Sequence, residues 1–137
     1  MNKLLGSLIV LGAAASCVGA TADRPRPGDE ESLAAALANY EQSGPPTDCV
    51  NTRDLGGNRS AGEGAIIFEG TTRSRLWVNR PPGGCPNLNR GLALVIRTPT
   101  TRFCRGDIAQ VIDPVARIPM GSCVLGDFTP YRLVRRR

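Results

Sequence analysis

The chain contains no histidine. That absence removes the commonest general base, the Ser-His-Asp and Cys-His arrangements, and every zinc site that uses imidazole. Lysine is nearly missing too: Lys3 is the one example, so every other cation is an arginine. Aromatic residues make up 4% of the sequence, which leaves Leu, Ile and Val to build any core. No apolar run approaches the ~20 residues of a membrane-spanning helix, since the stretch Leu4 to Ala15 has only 12. No Cys-x-x-Cys spacing occurs, so no cysteine pair is poised to form half of a tetrahedral metal site, and no metal or cofactor is expected. With 16 Gly and 11 Pro in 137 residues, long helices are disfavoured and short strands between turns are favoured.

What is present begins with a leader. Lys3 supplies a positive start, the apolar stretch follows, and small residues come next, which is the grammar of a secretory signal peptide. Two exits are written in the same residues. Ala20-Thr21-Ala22 before Asp23, or Val18-Gly19-Ala20 before Thr21, fits ordinary cleavage, whereas Ala14-Ala15-Ser16-Cys17 reads as a lipobox with Ala14 where Leu is usual. Cys17 is therefore a lipidation candidate. Residues 1–22 form the expected leader, or 1–16 if Cys17 is acylated; 23–46 are linker and helix, and 47–137 the domain.

Four further cysteines, Cys49, Cys85, Cys104 and Cys123, are an even number in an oxidising compartment and read as two disulfides. Three pairings are open. The favoured one joins Cys49 with Cys123, at the openings of the first and last strands, and Cys85 with Cys104.

Charge is unevenly placed. From Thr21 to Pro46 two Arg oppose five acids, a net −3; from Thr47 onward 14 Arg oppose 7 acids, a net +7. A basic exported domain is drawn to anionic envelope polymers or to another envelope protein, and salt weakens that attraction. Nucleic acid is not expected as a partner, because no RNA-binding aromatic signature or helix-turn-helix pattern occurs. Membrane contact is expected only through a lipid on Cys17. The tail Arg132 to Arg137 is the densest basic cluster, and its plainest reading is a solvated terminus.

Acidic Asp29, Glu30 and Glu31 ahead of Leu33, Leu37 and Tyr40 predict an amphipathic helix over Asp29 to Glu41. From Asp48 onward, short apolar runs between Gly, Pro and Asn predict an all-β fold, a small barrel or sandwich of five or six strands. Cys49 to Leu55 is the first strand. Ala65 to Glu69 and Arg75 to Arg80 form a hairpin, Leu92 to Thr98 pairs with Phe103 to Asp113, and Ser122 to Leu125 with Phe128 is the last. Alternation places Leu76 and Val78 on one face and Arg75, Trp77 and Asn79 on the other; Leu92, Leu94 and Ile96 oppose Ala93, Val95 and Arg97. Trp77 has two readings, a stacking platform beside arginine or the cover of a second apolar layer.

The order Asp48-Cys49, Trp77-Val78-Asn79-Arg80, Cys85-Pro86-Asn87-Leu88, Phe103-Cys104-Arg105-Gly106-Asp107-Ile108, Val111-Ile112-Asp113-Pro114 and Ser122-Cys123-Val124-Leu125-Gly126-Asp127-Phe128-Thr129-Pro130 resembles a proteobacterial family, domain of unknown function 6491. The resemblance spans Asp48 to Tyr131. It implies a small exported protein of a Gram-negative bacterium, periplasmic or anchored as a lipoprotein, and carries no catalytic residue with it.

The functional expectation is a non-catalytic envelope-binding module whose contacts are Arg75, Trp77 and Arg97. The alternatives are a small carboxylate-dependent enzyme acting on carbohydrate, using acids such as Asp107, Asp113 and Asp127, or a soluble periplasmic inhibitor or partner protein. Arg105-Gly106-Asp107 is read as a bend beside Cys104 rather than as an adhesive tripeptide, and Asp113-Pro114 as the start of a turn.

Overall fold

Apolar residues on both faces of one hairpin decide the architecture. In the computed structural model, which describes residues 27–88 and 91–134, strands β4 (Ile66–Gly70) and β5 (Arg75–Asn79) pair antiparallel, with Phe68 opposite Trp77 and Ile67 opposite Val78. Gly70 is required at the neck of this hairpin, because a Cβ there would lie 2.6 Å from the Arg75 carbonyl oxygen. Ile66, Phe68 and Trp77 enter one core, and Ile67, Leu76 and Val78 enter another. The alternation read from the sequence therefore holds, but both faces are covered.

The hairpin is the centre of a five-stranded antiparallel sheet with the order β1 (Tyr40–Gln42), β10 (Phe128–Leu133), β5, β4, β3 (Leu55–Ser60). A three-stranded sheet, β6 (Ala93–Ile96), β8 (Ile108–Ile112) and β9 (Pro119–Val124), contributes Leu94, Ala109, Val111 and Cys123 to the first core. Leu92 and Ile96 pack against that core beside Leu94, as the alternation requires. A two-stranded ladder of β2 (Cys49–Asn51) and β7 (Arg102–Cys104) adds Val50 and the Phe103 ring, which lies 6.1 Å from Phe68. These are ten strands in three sheets, more and shorter than expected. The five-stranded sheet ends at edges β1 and β3, so it does not close into a barrel.

Helix α1 (Pro27–Leu37) covers the second face, burying Leu33 against Ile67, Leu76 and Val78. It stops four residues before the expected end at Glu41. Asn39 accepts a bond from the Val134 amide, and Tyr40 to Gln42 leave the helix to pair with β10, so Tyr40 reaches the same core from a strand. Two contacts hold the helix start: the buried Asp29 carboxylate accepts the Glu63 amide at 3.1 Å, and Glu30 pairs with Arg80 at 2.6 Å. Within the expected 23–46 segment, residues 27–42 therefore pack on the sheets through the helix and β1.

The expected strand Phe103 to Asp113 is broken at Arg105-Gly106. Gly106 adopts φ 92°, and the Asp107 carboxylate accepts the Cys104 amide at 2.8 Å. The break sends Cys104 to β2, directly opposite Cys49 with Cα atoms 4.0 Å apart, and the two are bonded. Cys85 bonds Cys123. All four cysteines are in disulfides, but the favoured pairing is overturned, because β7 leaves the three-stranded sheet and takes Cys104 away from Cys85. Cys123 and Phe128, expected in one strand, lie in different sheets. Between them the fully buried Asn79 side chain donates to the Gly126 carbonyl at 2.7 Å and accepts its amide at 2.9 Å, acting as a strand edge where no strand is present.

Asn79→Leu leaves both Gly126 backbone groups unpaired at a cost of about 1–3 kcal/mol each; thermal unfolding should show that loss, and a change below about 1 kcal/mol would contradict the role given to Asn79. The Arg80 hydrogen bond, followed by its charge, holds the Glu30 carboxyl below its ordinary value of 4.5. A depressed folded value contributes stability above the unfolded value and loses it as pH falls through the folded one. The stability difference between wild type and Glu30→Gln, read by urea unfolding, should therefore be present at pH 7 and shrink as pH drops below about 4.5.

Candidate functional site

The turn of the β4–β5 hairpin carries arginine because its residues face water, and side-chain and backbone bonds fix its shape. Thr72 and Ser74 hydroxyls lie 2.8 Å apart, the Thr71 amide donates to the Asp54 carbonyl, and the Tyr40 hydroxyl donates to the Arg73 carbonyl at 2.9 Å. Below this turn lies a groove of about 310 Å³, lined by Tyr40, Arg59, Glu69, Gly70, Thr72, Arg73, Arg75 and Leu76.

Three arginines and one carboxylate give the groove a net charge of +2. Glu69 is occupied by Arg59, whose Nε lies 2.7 Å from Oε1. Both partners are about half exposed, so this pair adds little stability; its effect is to consume the one acid in the groove. Arg73 and Arg75 have no carboxylate partner among the described residues. Their planar guanidinium groups stay charged across the physiological range and match the oxygen pairs of carboxylates, phosphates and sulfates. The Thr72 hydroxyl and the Tyr40 ring add polar and flat surface. The groove thus carries two arginines without a carboxylate partner among the described residues, and its one carboxylate is already bound.

The sequence-predicted contacts separate. Arg75 lines the groove. Trp77 is 9% exposed and packs in the core between sheets, so of its two readings the buried one holds, and the stacking surface is withdrawn. Arg97 follows β6 on the three-stranded sheet and does not line the groove. Arg73 was missed, although it stands in the turn that the hairpin reading marks out. Strand alternation ranks sheet faces and is blind to a turn that folds over one.

The three aspartates considered for catalysis are engaged separately. Asp107 caps Cys104. Asp113 accepts the Ala116 and Val115 amides, which hold its carboxyl below the ordinary range, and Asp127 pairs with Arg105 at 3.3 Å, which also reaches Asp48. Arg105-Gly106-Asp107 is the bend expected beside Cys104. No cluster of three or more potential metal-binding side chains occurs among the described residues. The leader with Cys17 and the last three arginines of the tail lie outside the described residues. Comparison with family models, curated proteins and solved structures gives no match.

Arg75→Ala should leave unfolding stability within about 0.5 kcal/mol, as for an exposed side chain. Trp77→Ala should cost about 3–5 kcal/mol. Parallel denaturant titrations of the two variants check this contrast.

Proposed function

We propose that the chain is a non-catalytic, exported envelope-binding module, and that the groove beneath the β4–β5 turn binds the acidic groups of an envelope polymer. The observation that carries this reading is that Arg73 and Arg75 both line the groove without carboxylate partners among the described residues. The leader and the two disulfides support the compartment. An oxidising space preserves such bonds. Cys17 is the proposed point of attachment to the membrane, where it would keep the domain within reach of anionic surface polymers.

The chemistry favours recognition over turnover. An open cationic groove attracts a polyanion at long range and then pairs with individual acidic groups, and both terms weaken as salt rises. Polygalacturonate serves as a probe. The Arg73→Ala/Arg75→Ala double variant should bind it roughly tenfold more weakly, as expected for losing two charge-assisted contacts, while Arg97→Ala stays close to wild type. Titration calorimetry at two salt concentrations reads both effects. Equal loss in the Arg97 variant, or wild-type affinity in the double variant, rejects this groove as the site.

A further inference from the structure

The turn joining β8 to β9 runs Asp113-Pro114-Val115-Ala116-Arg117-Ile118, followed by Pro119 and Met120. Val115 is 91% exposed, Ile118 51% and Met120 41%. Pro114, Ala116 and Pro119 are exposed as well. A single exposed apolar side chain has no special meaning, but residues 114–120 form a continuous exposed segment with one cation and no acid.

The backbone donors of the tip are satisfied within the turn. Asp113 Oδ1 accepts the Val115 amide at 2.8 Å and the Ala116 amide at 3.0 Å, the Asp113 carbonyl accepts the Arg117 amide at 2.7 Å, and the Asp113 amide donates to the Ile118 carbonyl at 3.0 Å. Pro114 has no amide hydrogen to satisfy. From 113 to 117, every backbone donor therefore has a partner inside the turn. A tip in this condition bares no amide donor on entering the water–lipid interface, where water still reaches its carbonyls. Asp113, the one acid in residues 113–120, sits at the base of the turn and is only partly exposed.

Charge selects what covers this tip. Arg117 has no carboxylate partner among the described residues. A second copy meeting this tip with its own tip would bring two Arg117 side chains together, with no acid in residues 114–120 of either copy. An anionic lipid surface offers the complementary sign, with phosphates for arginine at the level where the apolar side chains leave water. We propose that the β8–β9 tip seats Val115, Ile118 and Met120 in the interface of an anionic bilayer, with Arg117 on the lipid phosphates. This contact is independent of the groove and of any acyl chain on Cys17. Combined with an acyl chain, it would hold the domain more firmly than either alone, since the second contact forms within one tethered molecule.

The test places a reporter at the tip of the full chain. Val115→Trp disturbs no packing at a position so exposed, and the chain's own Trp77 is buried. On vesicles of phosphatidylglycerol and phosphatidylcholine with brominated acyl chains, the new indole emission should shift to the blue and be quenched. Adding Arg117→Ala should weaken the apparent affinity about fivefold, the effect of one basic residue near an anionic surface. Ile118→Trp repeats the reading from a second position. Emission that stays unshifted and unquenched while the chain sediments with the vesicles overturns the proposal, because binding then runs through another segment. Equal quenching on pure phosphatidylcholine vesicles overturns it as well. So does a blue shift that grows with protein concentration in the absence of lipid, which would give the tip to a second copy.

Discussion

Strands β4 and β5 are apolar on both faces, and such a pair exposes a core to water unless each side is covered. On one side the cover is the three-stranded sheet and the short β2–β7 ladder, packed on Phe68, Trp77 and Phe128. On the other it is helix α1, packed on Ile67, Leu76 and Val78 through Leu33. Most other features serve this arrangement. Asp29 and Glu30 fix the helix start to the loop before β4 and to the end of β5, and Asn79 closes the line between β5 and the segment that crosses from β9 to β10. With so few aromatics, clustering matters: Phe68 stands 5.3 Å from Phe128 and 6.1 Å from Phe103 at the meeting point of all three sheets.

Local pattern carried much of this architecture into the sequence reading. Alternation placed Leu76 and Val78 against Trp77, and Leu92, Leu94 and Ile96 on one face, because strand geometry fixes side-chain direction with a period of two. Turn chemistry located the β4–β5 hairpin, the bend at Gly106 and the turn at Asp113. Strand partners were not legible in the same way. Phe103 and Ile108 look like parts of one strand until Gly106 takes a positive φ and sends them to different sheets, and Cys104 follows Phe103. Pairing depends on contacts between residues far apart in the chain, and cysteine spacing alone does not encode it. Tyr40 shows the same limit at smaller scale: spaced like Leu33 and Leu37 for one helix face, it packs against the same core as Leu33 but from strand β1.

The charged surface divides into two cationic neighbourhoods with different company. At the groove, Arg73 and Arg75 stand among hydroxyls, an aromatic ring and a satisfied acid, a setting suited to polar anions. At the β8–β9 tip, Arg117 stands among exposed aliphatic side chains and prolines, a setting suited to the boundary between water and lipid. Arginine count and net charge describe both equally. Only neighbours tell them apart, which is why the expected trio of Arg75, Trp77 and Arg97 dissolved into a groove residue, a core residue and a residue of the opposite sheet.

The two disulfides interleave along the chain: the loop from Cys49 to Cys104 begins before Cys85 and ends before Cys123, where the second bond closes. A backbone nick between 49 and 85 is spanned by the first bond, one between 104 and 123 by the second, and one between 85 and 104 by both. An exposed turn such as Pro82-Gly83 can therefore suffer a single proteolytic cut without releasing a fragment. For a protein of this size, that makes survival depend less on never being cleaved than on staying in one piece afterwards.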